Sequence, residues 1–312
     1  MPANIETMMY HGAVPWHGLG TPVTEAATAE EALVAAGLDW NVQASSIFTD
    51  DGTLIPGFVA NQRDRDQAIL GAVSDRYRVV QNREAFAWLD ELVGEGLRFE
   101  TAGALKGGQR VWMTARLPQR YTLVGDPVVT YLTFTNGHDG RHAVQVAVSP
   151  VRVVCENTLN VALERAPRMW SAIHAVNIHA RMDEARKTLS MTEAYLARLD
   201  AQAQVWANQP LSYAEWTELV ADITPVKTLT PAMEAQRMAI SSALYRPDQA
   251  EFANTVWGAV NAVSWFTSHR EHPRNPDRAM ETFVDGDRLM TRLMSLVSPE
   301  PVEDDDEEVI EI

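Results

Sequence analysis

Between Leu97 and Val154 the side chains change character at every second residue, and this period limits the folds open to the chain more than any other feature. Val111, Met113, Ala115 and Leu117 alternate with Arg110, Trp112, Thr114 and Arg116. Successive residues of a strand point to opposite faces, so such a segment turns one apolar face and one basic face outward from the same sheet. Two β-branched runs follow, residues 128–135 (VVTYLTFT) and 142–149 (HAVQVAVS), separated by Asn136-Gly-His-Asp-Gly140. The glycines and the Asn and Asp of that spacer suit the positive φ angles of a tight reversal. The segment reads as a hairpin inside an antiparallel meander.

The flanking regions read differently. Thr28-Ala-Glu-Glu31 is a capping box and Gly37 a left-handed stop, which together frame a short helix. Residues 58–80 hold two extended pieces, and Asn82 is placed as the cap of a helix through Phe86, Leu89 and Val93 to Gly94. The first hundred residues are therefore expected to mix loops with at least two helices. After Val154 the period becomes helical at CENTLNVALERA, and it remains so. Helix starts are marked by Ser212-x-x-Glu215, by Thr230 before Pro231 and by Asp248-x-x-Glu251, with a long helix from about His179 to Asn208. The expected class is α+β: a central antiparallel sheet with flanking helices, a helical C-terminal region and a disordered acidic tail. Residues 1–166 form the mixed α/β core, 167–298 a helical region packed on it, and 299–312 the tail.

Charge is unevenly spread. The chain carries a formal -16, but residues 300–312 (EPVEDDDEEVIEI) contain eight acids and no base, whereas residues 101–190 carry eleven Lys/Arg against six acids. A single cysteine, Cys155, excludes an internal disulfide framework and any site with several thiolate ligands. Neither a secretory leader nor a run of eighteen apolar residues is present, so the expected location is the cytoplasm, with no membrane partner.

The motifs of common catalytic chemistry are missing. There is no GxxxxGK[ST], and Gly94-Glu-Gly96 lacks the third glycine of a dinucleotide fingerprint. His138, Asp139 and His142 gather in the hairpin, His11 and His17 flank Trp16, and His269 and His272 stand near a helix end. None has the spacing of a metal site, and each reads as a solvated loop residue. Cys155 lies between a strand and a helix, where a small thiol packs well and a helix N-terminus could also lower its pKa. No cofactor, metal or catalytic residue is expected. What remains is electrostatic: Lys106, Arg110, Arg116, Arg120, Arg141, Arg152, Arg165 and Arg168 are interleaved with Trp112, Tyr121, Tyr131, Phe134 and Trp170. Cations and exposed rings together can hold a single nucleic-acid strand, through phosphate neutralisation and base stacking. Equally, any one-sided sheet alternates polar residues, and these rings also suit a core. The tail, with Asp304, Asp305, Asp306, Glu307, Glu308, Ile310 and Ile312, could occupy a basic groove, dock on a partner or simply solubilise the chain.

Five separated stretches, Pro15-Trp-His-Gly-Leu-Gly20, residues 104–112 (ALKGGQRVW), residues 135–140 (TNGHDG), residues 151–159 (VRVVCENTL) and residues 257–262 (WGAVNA), resemble the phage/plasmid-like family of the domain of unknown function 932. The resemblance implies a mobile-element origin and carries no assigned activity. Combined with the basic window, it leads to the expectation of a non-enzymatic, oligomeric single-stranded DNA-binding or annealing protein in phage or plasmid recombination or replication. Lys106, Arg110, Arg116, Arg141 and Arg152 would meet phosphates, and Trp112 or Tyr131 would stack bases. The alternative is a mobile-element interaction protein that inhibits or recruits a host DNA-processing enzyme through acidic surfaces, and the acidic tail could in either case dock on a host replication or recombination protein.

Overall fold

The computed structural model describes residues 5–11, 20–24, 28–93, 96–141, 144–152, 169–171, 178–270 and 287–298. Ten strands lie in them: β1 (Ile5–His11), β2 (Thr21–Val23), β3 (Val42–Phe48), β4 (Leu54–Arg63), β5 (Ile69–Ser74), β6 (Arg98–Leu105), β7 (Arg110–Leu123), β8 (Asp126–Gly137), β9 (Gln145–Arg152) and β10 (Met169–Ser171). The alternating segment folds as the antiparallel meander β6-β7-β8-β9 at the centre of a seven-stranded sheet of order β10-β9-β8-β7-β6-β1-β2. Among the described strands only β1 and β2 run parallel. A separate antiparallel sheet has the order β3-β4-β5. The protein is α+β, but its first hundred residues are richer in strand than their sequence suggested. Five strands precede β6, and β1 completes the large sheet through main-chain pairing that leaves little mark on side-chain pattern.

The helices are α1 (Ala29–Ala35), α2 (Asn82–Phe86), α3 (Asp90–Val93), α4 (Ile178–Asn208), α5 (Tyr213–Ile223), α6 (Pro231–Ala243), α7 (Val256–His269) and α8 (Arg288–Val297). Thr28 caps α1 by accepting the Glu31 N–H, Ser212 and Glu215 form a full capping box on α5, and Thr230 caps α6 ahead of Pro231. Two expected starts are corrected. Gln81, not Asn82, caps α2, and the helix breaks into a 3-10 turn at Ala87–Leu89 before α3. Pro247–Phe252 is a 3-10 segment, and the helix beyond it begins at Thr255, whose side chain accepts the Gly258 N–H.

One face of the large sheet carries Ala102, Ala104, Val111, Met113, Ala115, Leu132, Phe134, Val146 and Val148, and this face joins the main core with Trp88, Tyr195 and Leu199. Phe134 meets Trp88 edge-on at 5.4 Å. Helix α7 is buried from Val256 to Ser264. Trp257 stacks on Trp206 of α4 at 6.4 Å, and Trp206 Nε1 donates to the Val297 carbonyl of α8. Gly258 is obligatory there, because a Cβ would lie 2.0 Å from the Phe252 carbonyl oxygen. No helix among the described residues is long and apolar enough to cross a membrane.

Candidate functional site

The other face of the large sheet is where the sequence places its basic chemistry, and strand register lays it out in rows. Gly103, Trp112, Thr135 and Gln145 stand side by side across β6, β7, β8 and β9. The next row is Thr101, Thr114, Thr133 and Ala147, and the one after it Arg98, Arg116, Tyr131 and Ser149. Arg120 opposes Val129 beyond them. The face is thus graded, with an aromatic row, a hydroxyl row and a cationic row in succession.

Its middle is closed to solvent. Thr114, Thr133, Thr135, Ala147 and Ser149 are all buried. Thr114 and Thr133 share a hydroxyl contact of 3.4 Å, whereas the Thr135 hydroxyl has no hydrogen-bond partner. Trp112, expected to offer a ring for base stacking, is 2% exposed and packs with Met8 and Leu105. Its ring lies over Gly103, where an added Cβ would meet it at 2.4 Å, and its Nε1 donates to the Thr101 hydroxyl. The alternation that put Trp112 beside arginines was correct, but the ring covers a glycine instead of facing solvent.

The accessible part of this face is its cationic end. Arg116 is 43% exposed and lies 3.7 Å from Glu100, while Arg98 and Arg120 are exposed and Tyr131 is half-buried. Arg98 falls just ahead of the basic window read from the sequence, yet register sets it directly beside Arg116. The strand alternation Arg98, Glu100 was the available signal. Arg152, at the end of β9, stands opposite Val128 and has the strand parity of Val146 and Val148, so its register position belongs to the apolar face and not to this one.

The remaining expected cations collect at the opposite end of the strands. Lys106 is exposed, in the 3-10 turn Lys106–Gly108 with φ +54°, Arg141 is exposed after the β8 strand, and Arg110 is only 4% exposed and so is no surface cation. Among the described residues the exposed cations of these strands fall at two ends, Arg98, Arg116 and Arg120 at one and Lys106 and Arg141 at the other.

Between the two turns of this second end lies a buried polar junction that sequence reasoning missed. The His138 N–H donates to the Gln109 carbonyl, joining the KGGQR loop to the TNGHDG turn. The His138 ring contacts Trp40 edge-on at 5.2 Å, and its Nε2 lies 2.9 Å from Asn82 Oδ1. Since Asn82 Nδ2 donates to the Leu38 carbonyl, the imidazole proton sits on Nε2, and Nδ1 has no partner. Burial lowers the His138 pKa to about 4 against the opposing pull of Asp139, so the ring is neutral at physiological pH. It is not the solvated loop residue the sequence suggested. Asn61 donates to the His138 carbonyl, Asn136 to the Val80 carbonyl, and Tyr77 to the Gly137 carbonyl. Nearby, the buried Arg63 binds both Glu6 and Asp66 and lies over Trp40, and the hydrogen bonds it donates to the Asp66 and Glu6 carboxylates raise its pKa. Gly108 leaves room for that guanidinium, 2.7 Å from where a Cβ would stand. These amides and glycines hold the small sheet against the large one. Nothing in the local sequence marks Asn82 as an inward-facing amide rather than a helix cap.

Arg165, Arg168, Cys155, His142 and the tail residues Asp304 to Ile312 lie outside the described residues, as does the helix expected at residues 155–166. Among the described residues, no three His, Cys, Asp or Glu side chains converge as metal ligands.

A family model described as Domain of unknown function (DUF932) matches residues 69–290, which span β5 to α8 and contain both ends of the graded face. No curated protein and no solved structure matches the chain.

Proposed function

The chain belongs to the Domain of unknown function (DUF932) family, and from that premise we propose that it binds single-stranded DNA without catalysis, as an oligomeric annealing or protecting protein in phage or plasmid recombination or replication inside a bacterial cell. The observation that carries this reading is the juxtaposition of Arg98, Arg116 and Arg120 with Tyr131 on adjoining strands of one face. Guanidinium groups neutralise phosphates, releasing counterions, and a ring beside them gives an unpaired base a surface to stack on, at about 1–3 kcal/mol per base. Glu100 offsets part of this charge and would exchange its contact with Arg116 for a position at the rim as a phosphate arrives. A cationic sheet end with a ring beside it suits a single strand better than a duplex, because bases already unstacked can lie on the ring.

The test is fluorescence anisotropy with a labelled oligonucleotide at about 50 mM salt, a condition in which phosphate contacts are strong. Both the full chain and one ending at Ser298 are assayed. Binding should weaken steeply as salt rises, and Arg116→Ala with Arg120→Ala should lower the log–log salt slope by about 1.4, given about 0.7 for each lost single-strand phosphate contact. Absence of binding by both chains, or a slope untouched by the double substitution, would sink the reading.

A further inference from the structure

Among the described residues, strand β3 leaves one edge of the small sheet open. Its only strand partner there is β4, in the order β3-β4-β5. Its first residue shows which way the edge faces: Val42 N–H donates to Gln81 Oε1, and Gln81 Nε2 donates back to the Val42 carbonyl. The Gln81 carboxamide thus occupies the place of a peptide group on a neighbouring strand. On the inner side, the Asn41 carbonyl accepts from the Asp64 N–H. Backbone groups alternate in direction along a strand, so Ala44 and Ser46 share the outward direction of Val42. Both residues are exposed, and among the described residues no side chain beyond Gln81 caps the edge.

The devices that normally blunt such an edge are missing from β3. The sequence VQASSIF has no charge and no proline, and the single register irregularity comes only at its far end, between Ser46 and Phe48. Ala44, Ser45 and Ser46 are small, leaving space for the side chains of an added strand. Phe48, Leu54, Phe58 and Ile69, all on this small sheet, are each more than half exposed.

Charge selects the occupant. Exposed Asp39 stands at the start of β3, with Asp64 beside it on the β4 side, and exposed Asp50 and Asp51 stand at its end. A hydrogen bond from the Asn41 backbone lowers the pKa of Asp64, and one from Thr49 lowers that of Asp51, so both are anionic at neutral pH. A second copy paired antiparallel through β3 would bring the acids of one end against those of the other, an arrangement that opposes pairing. An extended peptide with cationic ends is attracted by both. We infer that the β3 edge binds an extended, lysine- or arginine-bearing segment of a partner protein, which adds to the small sheet as a fourth strand. The seven residues of β3 span about 23 Å, enough for main-chain pairing to supply affinity while alternate side chains supply selectivity. This inference is independent of DNA binding, because the edge and the cationic end of the large sheet share no residue.

The test uses the full chain and a seven-residue probe peptide that alternates valine and threonine between terminal lysines. Nuclear magnetic resonance should show the Ala44 and Ser46 amides shifting on titration. Ser46→Pro, which removes an outward N–H at an edge where proline is tolerated, should weaken binding by about tenfold or more. Methylating alternate backbone nitrogens of the probe should do the same with the protein unaltered, which keeps the test informative if Ser46→Pro misfolds. Asp50→Asn with Asp51→Asn should weaken binding several-fold at low salt and little at high salt. Three outcomes would overturn the inference: no shift at Ala44 and Ser46, equal affinity for methylated and unmethylated probes, or a dimer of the unliganded chain in sedimentation that Ser46→Pro dissolves, which would assign the edge to a second copy.

Discussion

The two faces of the large sheet come from the same strands, yet they are built on different rules. One face is continuous hydrocarbon: Val111, Met113, Leu132, Phe134 and Val148 meet the helices, and shape decides what fits. The other is buried over its middle while carrying threonine hydroxyls, and it ends in arginines at the surface. The difference teaches that burial alone does not separate core from site. An apolar face is buried for stability, whereas a hydroxyl-lined face costs free energy wherever a group finds no partner.

The largest effect should come from breaking the apolar face. Phe134→Ala removes a ring with 1% exposure from against Trp88, and should cost about 3–5 kcal/mol in urea unfolding. Where that face ends, at His138, the contrast becomes pH-dependent. The folded pKa of about 4 lies below the usual 6.5, so the unfolded chain binds the proton more readily. Stability contributed by the neutral ring is complete above about pH 6.5 and is lost as pH falls toward 4, by about 3 kcal/mol in all. Unfolding measured between those limits should show this slope, and His138→Gln should flatten it. An unchanged slope would mean that the ring is not held neutral by burial.

On the polar face the expected sign reverses. Thr135→Val replaces a buried hydroxyl that has no partner with a methyl of similar shape, and should stabilise the protein by about 1 kcal/mol. A loss of stability would show that the hydroxyl is satisfied in solution. The smallest effect belongs to Arg116→Ala, where a 3.7 Å contact between partly exposed partners should change the melting midpoint hardly at all, within about 0.5 kcal/mol. Were its loss as damaging as that of Phe134, the cationic end would belong to the scaffold.

The meander, the caps at Thr28, Ser212 and Thr230, and the long helix α4 were legible because each is written locally, in a period or in a polar residue at a fixed distance from the group it satisfies. Strand β1 was not legible, since its place depends on pairing with β6 far along the chain. Arg110 and Trp112 share the polar-face parity that alternation gives them, but both are buried, because what covers them comes from elsewhere in the fold. Asn82 shows the same limit. An asparagine before a helical run satisfies the rule for a cap, and only the arrival of His138 and the Leu38 carbonyl turned its amide inward.

By itself the sequence determined the α+β class, the alternation that divides the large sheet into an apolar and a polar face, and the positions where helices begin, because period and capping act over a few residues. Only the tertiary structure decided which polar groups reach solvent. It gathered Arg98, Arg116 and Arg120 at one end, sealed Trp112 over Gly103, and among the described residues left the outer edge of β3 unpaired, with carboxylates near both of its ends. Exposure and charge environment are set by segments distant along the chain, and no local pattern encodes their approach.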